Sequence, residues 1–73
     1  MNFKEKINYL RSYVPDAVLE DEHGEWTSAQ SWANVFGMNF DEAVAELSDA
    51  EAQGLVSVWD SEYDCIYIGR VTR

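Results

Sequence analysis

Acidic side chains outnumber every other kind of chemically active residue in this chain. Its 73 residues carry fourteen Asp and Glu against five Lys and Arg, with one His, which gives a net charge of −9. Paired carboxylates can act as general acid and base, hold metal ions or face a basic partner. A chain of 8.4 kDa has little room for a deep cleft. We therefore expect no enzyme, and we interpret the acids as a binding surface.

The acids concentrate in the middle of the chain. Between Ser12 and Gly69 the sequence contains thirteen acids and no Lys or Arg. We expect this stretch to present the surface that binds a basic partner, although an acidic surface selected in a salt-loving host is the plain alternative. The predicted partner-binding residues are Glu20, Asp21 and Glu22 in a connection, Asp41, Glu42, Glu46 and Asp49 on a helix, and Asp60, Glu62 and Asp64 on a hairpin.

The basic residues lie only at the two ends of the chain. They are Lys4, Lys6, Arg11, Arg70 and Arg73. If the two ends converge in the fold, these side chains form a small patch for RNA, DNA or an acidic partner, with ordinary solubility charges as the alternative. The net negative charge argues against a simple duplex-DNA binder, which needs a basic patch to replace phosphate counterions.

The remaining reactive side chains form no metal-binding or catalytic pattern. His23 stands in an acidic segment, but the chain has no second His, and the spacing matches no calcium loop. We therefore expect no metal ion and no cofactor. Cys65 is the only Cys, so it forms no internal disulfide and is expected to be a small buried residue of a strand. Trp32 is expected in the core, and Trp26 and Trp59 are expected to pack together.

Apolar residues at helical spacing predict three helices that position the acids. Each helix begins at a cap residue followed three positions later by Glu or Gln, which is the spacing of a capping box. A Pro or a Gly then ends it. The cap and stop residues of the three helices are Asn2 and Pro15, Thr27 and Gly37, and Asn39 and Gly54.

After the third helix the apolar period changes to two, which predicts strands. Residues 55–59 and 65–68 are expected to form a hairpin around the loop 60–64, with a short strand at 25–26 on its edge. Residues 16–25 are interpreted as a connection in which Ala17, Val18 and Leu19 tuck inward. The sequence therefore predicts a single α+β domain over residues 1–73.

The turn between the second and third helices carries a recognisable pattern. Ala33 and Gly37 stand four apart, as in a helix-turn-helix, where the small residue admits the next helix and the Gly makes the turn. With the Gly-Leu-Val step at 54–56, residues 26–70 resemble the winged helix-turn-helix family. The resemblance implies three helices plus a C-terminal β-hairpin wing. It also implies a reading surface, occupied here by Asp41, Glu42, Ala45, Glu46, Ser48 and Asp49 on the third helix and by Asp60, Glu62 and Asp64 on the wing.

A reader of duplex DNA needs Arg, Lys, Asn or Gln at these positions, so the acids point to a protein partner. A small acidic winged helix resembles phage-encoded proteins that bind bacterial RNA polymerase. That resemblance implies a monomeric regulator that inhibits initiation, for example by interfering with σ factor, and that also affects termination.

Other functions stay open at this point. A DNA mimic that inhibits a host defence or repair enzyme would carry carboxylates in one continuous stripe, whereas a protein-binding patch is compact and bordered by apolar residues. A DNA-binding repressor would use the basic ends, and an assembly subunit would need neither. The sequence shows no signal peptide and no apolar run of about 18 residues, so we expect a cytoplasmic protein with no membrane partner.

Overall fold

Three helices and four strands are formed by the residues that the computed structural model describes, which are 1–56, 58–60 (backbone only), 62 and 64–69. In chain order they are α1 (Phe3–Tyr13), β1 (Leu19–Asp21), β2 (Gly24–Ser28), α2 (Ala29–Phe36), α3 (Phe40–Ala52), β3 (Val58–Asp60) and β4 (Cys65–Tyr67), with a 3₁₀ turn (Pro15–Ala17) after α1. The expected α+β class is confirmed. Two strands precede α2, so strand structure is not confined to the C-terminal hairpin. None of the described helices is long and apolar enough to cross a membrane.

The described strands form one antiparallel sheet in the order β1-β2-β4-β3. Thr27 of β2 lies opposite Ile66 of β4, and both side chains are fully buried. Because side chains alternate across a strand, Trp26 and Tyr67, which are also opposite each other, lie on the other face. The short strand expected at 25–26 is thus confirmed with wider bounds, and it pairs with the last strand.

The sequence does not predict β1, which falls in the segment interpreted as a connection. All three of its residues are exposed. Because none of them is buried, the segment did not need the alternation of apolar and polar residues by which a strand is predicted from sequence. The chain reverses into β2 through Gly24, whose φ of 129° is open to glycine. Ala17 and Val18 are half-buried as expected, but Leu19 is 47% exposed, because its position in β1 places it on the outer face of the sheet.

Two of the three expected capping boxes are confirmed. The Asn2 side chain accepts a hydrogen bond from the Glu5 N–H at 2.9 Å, and the Asn39 side chain accepts one from the Glu42 N–H at 2.8 Å. Each Glu side chain reaches back to the N–H of its cap residue. The first helix ends two residues before Pro15, as predicted.

The third capping box, at Thr27, is wrong. Pairing with β4 extends β2 through Ser28, so Thr27 belongs to the strand and Ser28 caps α2 by accepting from the Ser31 N–H at 3.1 Å. The buried Thr27 hydroxyl instead donates to the Ala17 carbonyl at 2.8 Å. This bond ties the 3₁₀ turn to the sheet.

Left-handed glycines end the second and third helices, as predicted. Gly37 has a φ of 66°, and the N–H of Met38 donates to the Ala33 carbonyl at 3.0 Å. Gly54 has a φ of 73° just after α3. Ala33 is 1% exposed, so this small residue lies buried in the core.

The core lies between the helices and the inner face of the sheet. Phe3 stacks on Trp32 with ring centroids 5.0 Å apart, and Phe36 packs against the same indole at 4.6 Å. Trp32 is fully buried, as the sequence predicts, and Cys65 is also buried. The main cluster of buried residues is Leu10, Ala29, Trp32, Ala33, Ala43, Leu47 and Ile66.

The C-terminal hairpin is confirmed by the antiparallel pairing of β3 with β4. The first of its strands begins later than the predicted 55–59, because Leu55 completes the end of α3 by donating its N–H to the Ala50 carbonyl at 2.9 Å. The side chain of Trp59 lies outside the described residues, so the expected packing of Trp26 on Trp59 stays a prediction.

Candidate protein-binding surfaces

The third helix presents acids on the side that faces away from the core. Its buried residues are Ala43, Leu47 and Ala50, so the opposite side carries Asp41, Glu42 and Asp49, all of them exposed. We call these three residues the α3 acidic face. Among the described side chains, no Lys or Arg nitrogen lies within 4.0 Å of a carboxylate of this face.

The two ends of the α3 acidic face differ in their helix environment. Asp41 and Glu42 lie in the first turn, where the helix dipole favours negative charge. Asp49 lies toward the other end, where the dipole is unfavourable for a carboxylate. Helix stability therefore does not account for an exposed acid at this position.

The prediction that Glu46 lies on the exposed binding surface of the third helix is wrong. Its carboxylate accepts hydrogen bonds from Lys6 Nζ at 2.9 and 3.1 Å, and from the Trp32 indole N–H at 2.5 Å. The Glu46 side chain is 32% exposed and that of Lys6 is 17% exposed. This acid therefore ties α3 to α1 and α2, and it is committed to contacts within the chain.

The described basic residues do not form a patch. Lys6 is paired with Glu46, and Arg11 donates to Glu25 Oε1 at 3.1 Å and to the Ile68 carbonyl at 3.0 Å. The bond to Ile68 shows that α1 does lie beside the C-terminal strand, as a shared basic patch would require. The charge of Arg11, however, is paired with Glu25 within the chain. Lys4 is exposed, and the predicted binding residues Arg70 and Arg73 lie outside the described residues.

The acids of the β1–β2 turn have a fixed geometry. Asp21 accepts a hydrogen bond from the Tyr67 hydroxyl at 2.6 Å and another from the His23 backbone N–H at 2.7 Å. The Tyr67 bond is the main reason that the pKa of Asp21 lies below its ordinary value, and the His23 bond adds to it. Glu22 lies 3.4 Å from the imidazole of His23, and Glu20 is exposed.

The structure describes the side chains of only two of the three acids predicted on the wing. Glu62 is exposed and Asp64 is half-buried, with its backbone in the left-handed region at φ 51° and its carbonyl accepting from the Ala29 N–H at 2.7 Å. The side chain of Asp60 is outside the described residues. Within the described ranges, no three His, Cys, Asp or Glu side chains are grouped to hold a metal ion.

A groove lined by both polar and apolar residues, which sequence reasoning missed, lies beside the α3 acidic face. It has a volume of about 470 Å³ and runs between the start of α1 and the end of α3. Its lining includes Phe3 and Leu55 together with Asp49. Leu55 is 37% exposed. The Gly-Leu-Val step at 54–56 predicts the start of a wing, and it does not predict that Leu55 is exposed, because this exposure depends on how α3 ends.

The chain matches no protein-family model, no curated protein and no solved structure.

Proposed function

We propose that this protein is a small winged-helix binding module whose α3 acidic face docks on a basic protein surface. The observation that carries this proposal is the division of charge. Asp41 and Asp49 have no described basic partner, whereas Lys6 and Arg11 are held in ion pairs within the chain. An acidic surface left without its own counter-charges is suited to a partner that supplies them.

The arrangement of elements supports the winged-helix part of the proposal. The helices α2 and α3 are joined by a tight turn at Gly37, and the hairpin of β3 and β4 follows α3. The last strand pairs with β2, which precedes the two helices, and thereby closes the sheet around them. In this interpretation β1 is an added strand on the far edge of the sheet.

The partner that we propose is bacterial RNA polymerase, bound so that the protein inhibits initiation, with an effect on termination as a further consequence. This proposal rests on size, charge and fold. With a net charge of −9, long-range attraction to a basic surface would speed encounter and make binding sensitive to salt. Within the groove beside Asp49, Phe3 and Leu55 offer apolar contacts of the kind that hold a complex together after encounter.

The same geometry disfavours the two DNA-related alternatives. A continuous stripe of carboxylates on α3 would include Glu46, but Glu46 turns toward Lys6 and Trp32. What remains is a compact acidic patch bordered by apolar residues, which fits a protein partner better than a mimic of the DNA backbone. A DNA-binding repressor would need the basic ends, and Lys6 and Arg11 are already paired.

The test is direct binding to purified bacterial RNA polymerase, as core enzyme and with σ factor, measured at low and at high salt. We compare the wild-type chain with Asp49→Lys, with Asp41→Lys/Asp49→Lys, and with Asp16→Lys as the matched control. Asp16 is an exposed acid outside α3, so its reversal changes the net charge by the same amount as Asp49→Lys. Circular dichroism of each variant checks that the fold is kept.

We expect each reversal on α3 to weaken binding about thirtyfold, because a contact pair worth about 1 kcal/mol becomes a repulsion of similar size, a total change of about 2 kcal/mol. The Asp16 control should bind within about twofold of wild type. Equal effects of Asp16→Lys and Asp49→Lys would show that only net charge matters and would overturn the docking face. No binding of the wild-type chain to either form of the polymerase at low salt would overturn the proposed partner. Capture of a nuclease in a pull-down from bacterial lysate would then favour the DNA mimic, and salt-sensitive retardation of duplex DNA in a gel would favour the repressor.

A further inference from the structure

The outer face of the sheet carries a row of large side chains that the α3 acidic face does not involve. The register places Leu19 opposite Trp26, and Trp26 opposite Tyr67. Thr27 and Ile66, on the alternate positions, are fully buried on the inner face. The row therefore projects away from the core. Side chains directly opposite each other in an antiparallel pair have Cβ atoms about 5 Å apart, so Trp26 and Tyr67 are neighbours.

A pocket of about 270 Å³ opens in this face, lined by Asp21, Trp26, Cys65 and Tyr67. We call it the sheet pocket. It is smaller than the roughly 300 to 1,000 Å³ of sites for cofactors and drug-sized ligands, and its size suits one side chain of a partner. Two of its walls are aromatic, and one rim is a carboxylate.

The carboxylate of Asp21 is held in place at this rim. The Tyr67 hydroxyl donates to one oxygen at 2.6 Å, and the backbone N–H of His23 donates to the other at 2.7 Å. The Tyr67 bond keeps the pKa of Asp21 low, so the group is ionised at neutral pH. No Lys or Arg nitrogen among the described residues lies within 4.0 Å of it. The nearby ring of His23 meets Tyr67 edge-on with centroids 6.2 Å apart, and its Nε2 lies 3.4 Å from a Glu22 carboxylate oxygen.

We propose that the sheet pocket binds a lysine or arginine side chain of a partner protein. The aliphatic stem of that side chain packs against Trp26 and Tyr67, and its charge lies beside Asp21. Long basic side chains have this combination of an apolar stem and a charged head, and aromatic faces attract cations. An uncharged apolar side chain would bury the Asp21 carboxylate without a counter-charge. An anionic side chain would be repelled by the same carboxylate.

This site adds a second contact surface to the molecule and does not depend on the α3 acidic face. Its residues come from β1, β2 and β4, and none of them lies on α3. Variants of Asp41 or Asp49 should therefore leave it unchanged. The two proposals can fail separately.

The experiment is an NMR titration of the whole chain with a five-residue alanine peptide that carries one central lysine. The same peptide with norleucine in place of lysine keeps the stem and removes the charge. The readouts are the indole N–H signal of Trp26 and the ring signals of Tyr67. Asp21→Asn removes the charge at the rim and keeps an oxygen that can accept from Tyr67, and Asp16→Asn is the matched control for net charge.

We expect saturable shifts at Trp26 and Tyr67 with the lysine peptide, at an affinity on the order of millimolar, since a single side chain makes few contacts. Norleucine and Asp21→Asn should each weaken binding about fivefold, and Asp16→Asn should have no effect. Equal binding of the norleucine peptide by the wild-type chain would overturn the proposal without reference to any variant. Shifts confined to other residues, or none that saturate, would overturn it too.

Discussion

The contact of Glu46 with Lys6 and Trp32 leads to a prediction about stability. Replacing Glu46 by alanine removes the acceptor of the indole N–H and the partner of the Lys6 ammonium in one step. Trp32 is fully buried, so the variant leaves its indole N–H without its acceptor within the chain. Leaving a buried donor unsatisfied costs about 1 to 3 kcal/mol.

The ion pair contributes less than the indole bond. The Glu46 side chain is about one-third exposed, which screens the charge, and such pairs are worth about 0.2 to 1 kcal/mol. We therefore expect Glu46→Ala to lower the free energy of unfolding by about 2 kcal/mol. Glu46→Gln, which keeps an oxygen for the indole, and Lys6→Met, which keeps the apolar stem, should each cost about 0.5 kcal/mol. A domain of this size has roughly 4 to 11 kcal/mol in total.

The assay is urea unfolding followed by circular dichroism, with the free energy extrapolated to water. The control is Asp41→Ala on the exposed side of the same helix, which removes only a favourable interaction with the helix dipole and should cost less than about 1 kcal/mol. The melting temperature of Glu46→Ala should fall by about 10 °C. If Glu46→Ala and Asp41→Ala were equally stable, the indole bond would contribute nothing, and our interpretation of Glu46 as a structural residue would be refuted.

Three further predictions test other contacts. Tyr67→Phe should raise the pKa of Asp21 toward its ordinary value, which a carboxyl NMR titration would measure. A lowered pKa in the folded state adds stability that is lost as the pH falls through that pKa, so the difference in unfolding free energy between wild type and Tyr67→Phe should narrow below about pH 4. A difference that stays constant with pH would contradict this prediction. Gly37→Ala should cost about 1 kcal/mol in urea unfolding from backbone strain alone, since no atom lies within 4 Å of the added Cβ, and an unchanged midpoint would contradict it. Thr27→Val should cost about 1 kcal/mol by losing the hydroxyl bond to Ala17, and a neutral result would show that water replaces it.

Local signals in the sequence were sufficient where one residue sets the backbone. Asn2 and Asn39 each precede a Glu by three residues, and both capping boxes form. Gly37 takes the left-handed conformation for which glycine is suited. Thr27 has the same local signal as the two asparagines, yet strand pairing with Ile66 overrides it, because a partner strand is not visible in local spacing.

The candidate surfaces could be predicted only in part, for a related reason. The spacing of Asp41 and Asp49 identifies the exposed side of α3, but the same reasoning assigned Glu46 to that side. Helical spacing gives the direction of the Glu46 side chain, but it does not reveal that Lys6 and the Trp32 indole donate hydrogen bonds to its carboxylate. A half-buried acid of this kind has no sequence signal beyond its position at the boundary of the apolar stripe.

The way in which this chain uses its few cations explains how a strongly acidic sequence can fold and still present a charged face. Lys6 and Arg11 neutralise Glu46 and Glu25, acids that packing brings against α1. These acids are coupled to stability. The exposed Asp49 has no described basic partner, so the fold does not need it, and neutralising it should relieve an unfavourable helix dipole. Stability measurements can therefore sort the acids before any partner is known. An acid whose removal breaks a contact and destabilises the chain, such as Glu46, has a structural role. An acid whose removal is neutral or stabilising, as we expect for Asp49, is one that a binding function would have to retain.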